Sequence, residues 1–346
     1  MTTQLDISMD GALGVIALNR PEAINALSLS MIEGITAALE RWQADAAAGA
    51  VLFEGRGAKG FCAGGDVRAA RALVLEGNAA AADAYFAAEY RMNGLIAGYP
   101  KPLVAISHGV TMGGGIGIAG HCGVRVTQPG ARFAMPESAI GFFADVGVSA
   151  ILAKAPLNRA LLFSMSGVSV GAADAVGLGL ADAVVAPGRI GQLRADLAAA
   201  AGAGEPRTAM VRLLEGESIV AGETPFCALA DLLPADEPDS PVEFLGRVAA
   251  IPELGEISAL LATRSPGSLV ATFFAQFRAR RQMDVQQTLA TDLRLAGVMA
   301  RRPDFAEGVR AVLVDKDQAP QWAPGTMAEL DVERDARPIL DAVKAA

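Results

Sequence analysis

The chain repeats one pattern. Short apolar runs of strand length are each closed by a turn signal, and helical stretches lie between them. Residues 15–18 stop at Asn19-Arg20-Pro21, and residues 50–53 run into a glycine loop over 55–65. Residues 103–107 run into a second glycine loop over 109–115, with a helix beginning within or just after the glycines. Residues 124–127 close on Pro129-Gly130 and residues 183–186 on Pro187-Gly188. Ser28 stands where an N-cap belongs for a helix over 29–44, and the alanine-rich segment from Asp66 onward favours helix. Alternation of this kind predicts an α/β fold.

Beyond residue 204 the character changes. Pro206, Pro225, Pro234, Pro238 and Pro241 punctuate short segments, and longer helical patterns follow over 268–282 and 284–300. The expected organisation is therefore a core over 1–204 and a mainly helical C-terminal region over 205–346 packed on it.

Composition excludes several functions. The 346 residues are 52% apolar, enough for a sizeable core, and carry a formal charge of −9. Nucleic-acid binders show the opposite balance or a dense basic patch, and Arg278–Arg281 is only a short cluster. An anionic ligand must then be held by local donors. Three cysteines and two histidines are too few for a disulfide framework or a histidine-rich metal centre. His121-Cys122 could suggest a thiol nucleophile, but adjacent residues point in different directions. Residues 103–124 have the length of a membrane span, yet they contain two histidines and seven glycines. A buried strand and helix explain them better. With Asp6 and Asp10 near the start and no basic leader, the expectation is a cytoplasmic protein with no membrane partner.

Two runs concentrate glycine: Gly60-Phe61-Cys62-Ala63-Gly64-Gly65-Asp66, and Met112-Gly113-Gly114-Gly115-Ile116-Gly117. Glycine lets a backbone approach a ligand closely and adopt positive φ. Two N–H groups aimed at one point make an oxyanion hole, although either run alone reads more readily as tight helix packing or a plain turn. Gly115-Ile116-Gly117-Ile118-Ala119-Gly120 also fits a dinucleotide fingerprint. Its acidic residue should end the next strand, whereas Glu137 lies well past it.

Taken together, Leu18-Asn19-Arg20-Pro21, Asn25-Ala26-Leu27, Phe61 to Asp66, Lys101-Pro102 with Gly113-Gly114-Gly115, and Met135-Pro136-Glu137 resemble the crotonase (enoyl-CoA hydratase/isomerase) superfamily. The resemblance implies a crotonase-like α/β spiral of ββα units, with residues 1–204 as the acyl-CoA-binding catalytic core. Within the superfamily, two stretches resemble a thioester-hydrolase branch: Ala134 to Gly147, and the C-terminal Arg294-Leu295, Asp304 to Ala311 and Asp315-Lys316-Asp317. The hydratases carry a second glutamate two residues after the glycine triplet, where this chain has Gly117. Adding water across a double bond uses two carboxylates, so that loss argues against ordinary hydration. Asp145, eight residues after Glu137, matches the hydrolase branch instead, as does Glu89.

The resemblance thus implies hydrolysis of a short-chain 3-hydroxyacyl-CoA thioester in valine breakdown. Glu137 and Asp145 are the expected catalytic residues, and Glu89, Ala63, Gly64, Gly65, Asp66 and Gly114 the expected substrate-binding ones. The N–H groups of Ala63 or Gly64 and of Gly114 would form the oxyanion hole. Glu137 would act as nucleophile or as general base, and Asp145 would orient the 3-hydroxyl or assist proton transfer. No metal or cofactor is implied, because coenzyme A arrives with the substrate, and a homo-oligomer stays open. A hydratase or isomerase of the same fold and a non-catalytic acyl-CoA-binding protein are the alternatives. Glu22 replaces a lysine common in the family near the coenzyme A phosphates, which passes that contact to Arg20, Arg56 or Lys59. Ala144 and Val148-Ser149 depart from the pattern beside the acyl pocket.

Overall fold

The computed structural model describes residues 4–215 and 222–345. They form two compact units that interleave along the chain. One comprises Met1–Gly65, Arg91–Phe133 and Val170–Thr224; the other comprises Asp66–Tyr90, Ala134–Ser169 and Pro225–Ala346. A single cut at residue 204 is therefore not how the structure divides. Segments 66–90 and 134–169 join the C-terminal helices because their aromatic residues pack there. Phe142 stacks on Phe86 at 5.1 Å between ring centroids and meets Phe305 at 5.4 Å.

The first unit holds the strands. They are β1 (Leu5–Asp10), β2 (Leu13–Leu18), β3 (Ala50–Gly55), β4 (Gly60–Cys62), β5 (Leu103–Ile106), β6 (Val110–Met112), β7 (Val124–Thr127), β8 (Arg132–Ala134), with which the chain leaves the unit, and β9 (Ala183–Val184). Six make one sheet in the order β1-β2-β3-β5-β7-β9, antiparallel at β1/β2 and parallel thereafter. The registers Val15↔Leu52, Leu52↔Val104 and Val104↔Val124 line β-branched and leucine side chains along one face. That face is covered by Leu193, Leu197, Ala201 and Met210 from the helices Ile190–Ala201 and Pro206–Glu215. Ile16, Leu18, Val51 and Phe53 are buried as well, so the strands read as continuous apolar runs, as parallel strands covered on both faces do.

The helix Leu29–Ala44 starts as expected, with the Ser28 side chain accepting from Met31 N–H. It buries Met31, Ile32, Ile35, Leu39 and Trp42 at helical spacing. Lys101 of the Lys101-Pro102 motif donates to the Asp45 carbonyl (2.6 Å) and to that of Trp42, so its ammonium closes the C-terminal end of this helix.

Two expected loops contain short strands. β4 lies inside 55–65 and β6 inside 109–115, and with β8 they form a three-stranded sheet in the order β4-β6-β8. Three residues are too few to display a period of two. Residues 103–124 resolve into β5, β6 and the helix Gly114–Ala119, ending at the start of β7. Among the described residues no helix is long and apolar enough to cross a membrane.

The second unit is helical apart from the end of β8. Its long helices, Pro266–Gln282 and Val285–Met299, lie within two residues of the expected spans and are capped by Ser265 and Asp284. A Cβ on Gly141 would sit 2.2 Å from the Asp304 carbonyl oxygen, and one on Gly308 would sit 2.4 Å from the Ile140 carbonyl carbon. The loop after Glu137 and the helix Pro303–Val309 therefore touch backbone to backbone, which only glycine permits. Arg310 ties this end together through Glu307, Asp315 and Asp317, giving the Asp315-Lys316-Asp317 motif a structural function.

Candidate active site

Each unit presents its own set of functional groups. In the first, β4 and β6 pair in parallel and carry the two glycine runs on their C-terminal ends. Gly64 adopts φ +109°, a conformation that side chains rarely take, and a Cβ there would lie 3.5 Å from Gly114 N and 3.3 Å from the Met112 carbonyl oxygen. Gly113, at φ 48°, turns the chain into the helix Gly114–Ala119. At its first residue, the Gly114 N–H has no carbonyl one turn back to bond. Gly115 is pressed against β4, its would-be Cβ 2.5 Å from the Cys62 carbonyl oxygen. The two glycine runs are thus in backbone contact.

The donors differ from the expectation in one respect. Ala63 N–H is already committed to the Ile24 carbonyl at 2.9 Å, so Ala63 is corrected as an oxyanion donor. Gly64 N–H faces the Cys62 sulfur at 3.4 Å, a weak acceptor. Among the described residues Gly65 N–H and Gly114 N–H donate to no acceptor of the protein, and they are the backbone groups left to meet an oxygen. The error came from strand geometry: Ala63 still belongs to the bonded edge that follows β4, and the chain only releases its N–H groups past it.

The second unit gathers the acids. Glu137 lies in the first turn of the 3-10 helix Pro136–Ile140, Asp145 in the turn before the helix Val148–Leu152, and Glu89 one residue before the end of this unit's share of the helix Ala79–Ala97. All three are buried, at 8%, 6% and 3% relative exposure, too little for water to solvate three charges. Burial and the neighbouring Asp145 push Glu137 well above the ordinary carboxylate range, and the same two causes raise Glu89 to about 8. Asp145 is raised to about 7 by burial, against the lowering pull of the Tyr90 hydroxyl, which donates to its Oδ2 at 2.7 Å. One Glu137 oxygen and one Glu89 oxygen are buried without a hydrogen-bond partner. Such groups persist where a ligand completes them. Phe142 and Phe143, between the two catalytic candidates in sequence, pack at 4.9 Å and supply part of the apolar wall.

Asp66 has a local function: its side chain accepts from Ala69 N–H as the N-cap of the helix Val67–Leu75, and its own N–H donates to Tyr85 Oη at 2.9 Å. Cys122 bonds the Ile118 carbonyl, and burial pushes its thiol far up, so it stays protonated and unreactive. Of the basic candidates, Arg56 is committed to Asp6 and Glu54, and Arg20 donates to the Ala26 carbonyl. Lys59 is exposed and without an acidic partner among the described residues.

Two residues of the acid cluster were not singled out from sequence: Tyr90, and Asp292 on the helix Val285–Met299. Asp292 is fully buried, and its Oδ2 accepts from Gly147 N–H at 2.8 Å. A signal for it existed. Leu289, Asp292, Leu295, Ala296 and Met299 fall on one helical face, and a single acid on an apolar stripe invites the question of what it bonds.

Glycine-cleared backbone donors, which the first unit carries, and a buried acid set, which the second carries, are each features of acyl-transfer enzymes. The chain belongs to the enoyl-CoA hydratase/isomerase family, whose sequence profile matches residues 13–337. Among curated relatives it is 36% identical to a mitochondrial 3-hydroxyisobutyryl-CoA hydrolase of Danio rerio, over 92% of this chain and 84% of that protein. It is 34% identical to the Homo sapiens protein of the same name, over 93% and 85%. A solved carnitinyl-CoA dehydratase from Mycobacterium thermoresistibile superposes with a TM-score of 0.88 at 31% identity, covering 100% of this chain and 97% of the other. An enoyl-CoA hydratase from Rhodobacter sphaeroides 2.4.1 matches with TM-score 0.88 at 30% identity, over 99% and 97%.

Proposed function

We propose that this chain hydrolyses the thioester of a short-chain 3-hydroxyacyl-CoA, 3-hydroxyisobutyryl-CoA first among them. The observation that carries the reading is a substitution of carboxylates. Position 117, where a hydratase keeps its second glutamate, is a buried glycine in the helix Gly114–Ala119, while Glu137 and Asp145 are both buried in the second unit and Asp145 raises the proton affinity of Glu137.

In this reading the Gly65 and Gly114 N–H groups are donors suited to a carbonyl oxygen as it gains charge. Removing one such donor costs on the order of 10²–10³ in rate. Glu137 of the second unit either attacks the carbonyl carbon, giving a mixed anhydride that water opens, or takes a proton from the attacking water. Both routes consume one water, break the C–S bond and release an acid and a thiol. Coenzyme A leaves as a thiolate and needs little acid assistance. Asp145, held by Tyr90, receives the 3-hydroxyl or relays the proton. The reaction requires no cofactor beyond the coenzyme A of the substrate. Glu137 must be ionised to act, so its raised affinity for a proton moves the acid limb of the activity to a higher pH than an ordinary carboxylate would give.

Three buried cysteines outside any disulfide suit a reducing compartment, which in this reading is the cytoplasm; cell fractionation tests it.

The names of the two superposable structures favour one second reading, addition or removal of water at a double bond. Purified protein offered 3-hydroxyisobutyryl-CoA, its straight-chain 3-hydroxybutyryl analogue and crotonyl-CoA separates the two. Hydrolysis predicts free thiol from the hydroxyacyl substrates. Conversion of crotonyl-CoA to its 3-hydroxy product without thiol release would establish the second reading instead.

A further inference from the structure

We propose that Asp292 is the positioning residue for Asp145: its carboxyl, reaching in from the C-terminal helix Val285–Met299, fixes the turn Asp145-Val146-Gly147 through the Gly147 N–H. The proposal rests on the hydrolase reading for Asp145's task, but not for the contact itself.

The turn is one the chain would not adopt unaided. Val146 has φ 53° and Gly147 φ 73°, two left-handed residues in succession, the first β-branched. A β-branched residue there is strained and needs outside support. The support on the following helix is local: Val148 N–H donates to the Asp145 carbonyl and Ala150 N–H to the Gly147 carbonyl, both at 3.0 Å. The Gly147 N–H is bonded from outside the turn: Asp292 Oδ2 accepts it at 2.8 Å. Asp292 is 0% exposed, and its second oxygen has no partner. Arg294, two residues on, is occupied with the Ala342 and Ala345 carbonyls and Thr291 Oγ1. A buried carboxyl without a paired cation is costly to keep, so a helix packing residue alone does not explain an acid there. Burial, and secondarily the nearby Asp145, hold Asp292 well above the ordinary carboxylate range, against the lowering pull of the Gly147 N–H. On the other side Tyr90 Oη fixes Asp145 Oδ2. Tyr90 orients the carboxylate, and Asp292 fixes the backbone that carries it.

Two variants and a cycle test this. Asp292→Ala removes the acceptor; Asp292→Asn keeps an acceptor oxygen of the same reach. The expected result is a fall in kcat on the order of 10²-fold for Asp292→Ala, the scale of a small misplacement at a reacting group, with KM changed by less than about twofold. Asp292→Asn should remain within about threefold of the parent. In an Asp145→Asn background Asp292→Ala should cost no more than about threefold further, because the residue acts through Asp145. Full additivity, or equal loss in Asp292→Asn and Asp292→Ala, overturns the proposal. If Asp292→Ala does not fold, Asp292→Leu removes the acceptor without leaving a void. Hydrogen exchange in the peptide over 143–150 needs no turnover. It should accelerate at least about tenfold in the Ala or Leu variant and stay unchanged in Asp292→Asn; equal protection in all three overturns the proposal. Absence of thiol release by the unsubstituted protein counts against the hydrolase reading alone, and the exchange result still decides the role of Asp292.

Discussion

The glycine loops of the first unit and the acid cluster of the second solve opposite problems. The loops supply N–H dipoles, which carry no net charge, do not titrate, and work because side chains are missing at Gly64, Gly113 and Gly115. The cluster supplies carboxyls, which titrate, and it works because Phe142, Phe143, Tyr90 and their neighbours exclude water from Glu89, Glu137 and Asp145. The difference teaches where each half is fragile. Bulk should destroy the first half at any pH. The second half should tolerate modest changes of shape but respond strongly to proton concentration.

The largest effect tests the first half. Gly115→Val would drive a branched side chain into the Cys62 carbonyl, 2.5 Å from the would-be Cβ, and backbone cannot give way there. The expected outcome is loss of cooperative folding, read by thermal melting and circular dichroism; a stable, active variant would break the comparison. Gly64→Ala is milder. Its methyl would crowd Gly114 N and the Met112 carbonyl from a strained φ, so kcat/KM should fall about 10²-fold at every pH, with KM little changed.

Glu89→Gln addresses the second half. Glu89 is raised to about 8 in the folded chain, against 4.5 for the solvated side chain, so folding takes up a proton between those values. The stability it contributes is full below about 4.5 and is lost as pH rises through about 8, at a slope of up to about 1.4 kcal/mol per pH unit for one proton. Glu89→Gln should flatten that decline in denaturant titrations across the same window, and an unchanged slope would sink the assignment. Tyr90→Phe comes last. The hydroxyl lowers the proton affinity of Asp145, so its loss should move the acid limb of the pH–rate profile upward and slow the reaction by about threefold to tenfold at neutral pH. A downward shift would contradict the hydrogen bond.

Much of the first unit was legible in its sequence because its signals are local. Ser28 lies three residues before the N–H it caps, and the apolar runs that became β3, β5 and β7 have abrupt ends. β4 and β6 were missed because three-residue strands are defined by their partners, and Ala63 was misassigned because which N–H is spent depends on Ile24, far away in sequence. The acid cluster was half legible. Glu137, Asp145 and Glu89 were found by family resemblance, whereas Asp292 meets Gly147 across 145 residues and no spacing rule reaches that far. The interleaving of the units escaped for the same reason. Phe86, Phe142 and Phe305 come from three distant segments and declare a common core only once packed.

The central claim is that Glu137 acts at a thioester carbonyl. Its most direct test compares thiol release from 3-hydroxyisobutyryl-CoA by the unsubstituted protein and by Glu137→Gln, at a pH above the values of about 8 and about 7 to which Glu89 and Asp145 are raised. The account predicts release by the former and a drop of at least about 10³-fold in the isosteric variant, at the upper range of what an acid–base group contributes. Thiol release that survives in Glu137→Gln would contradict it.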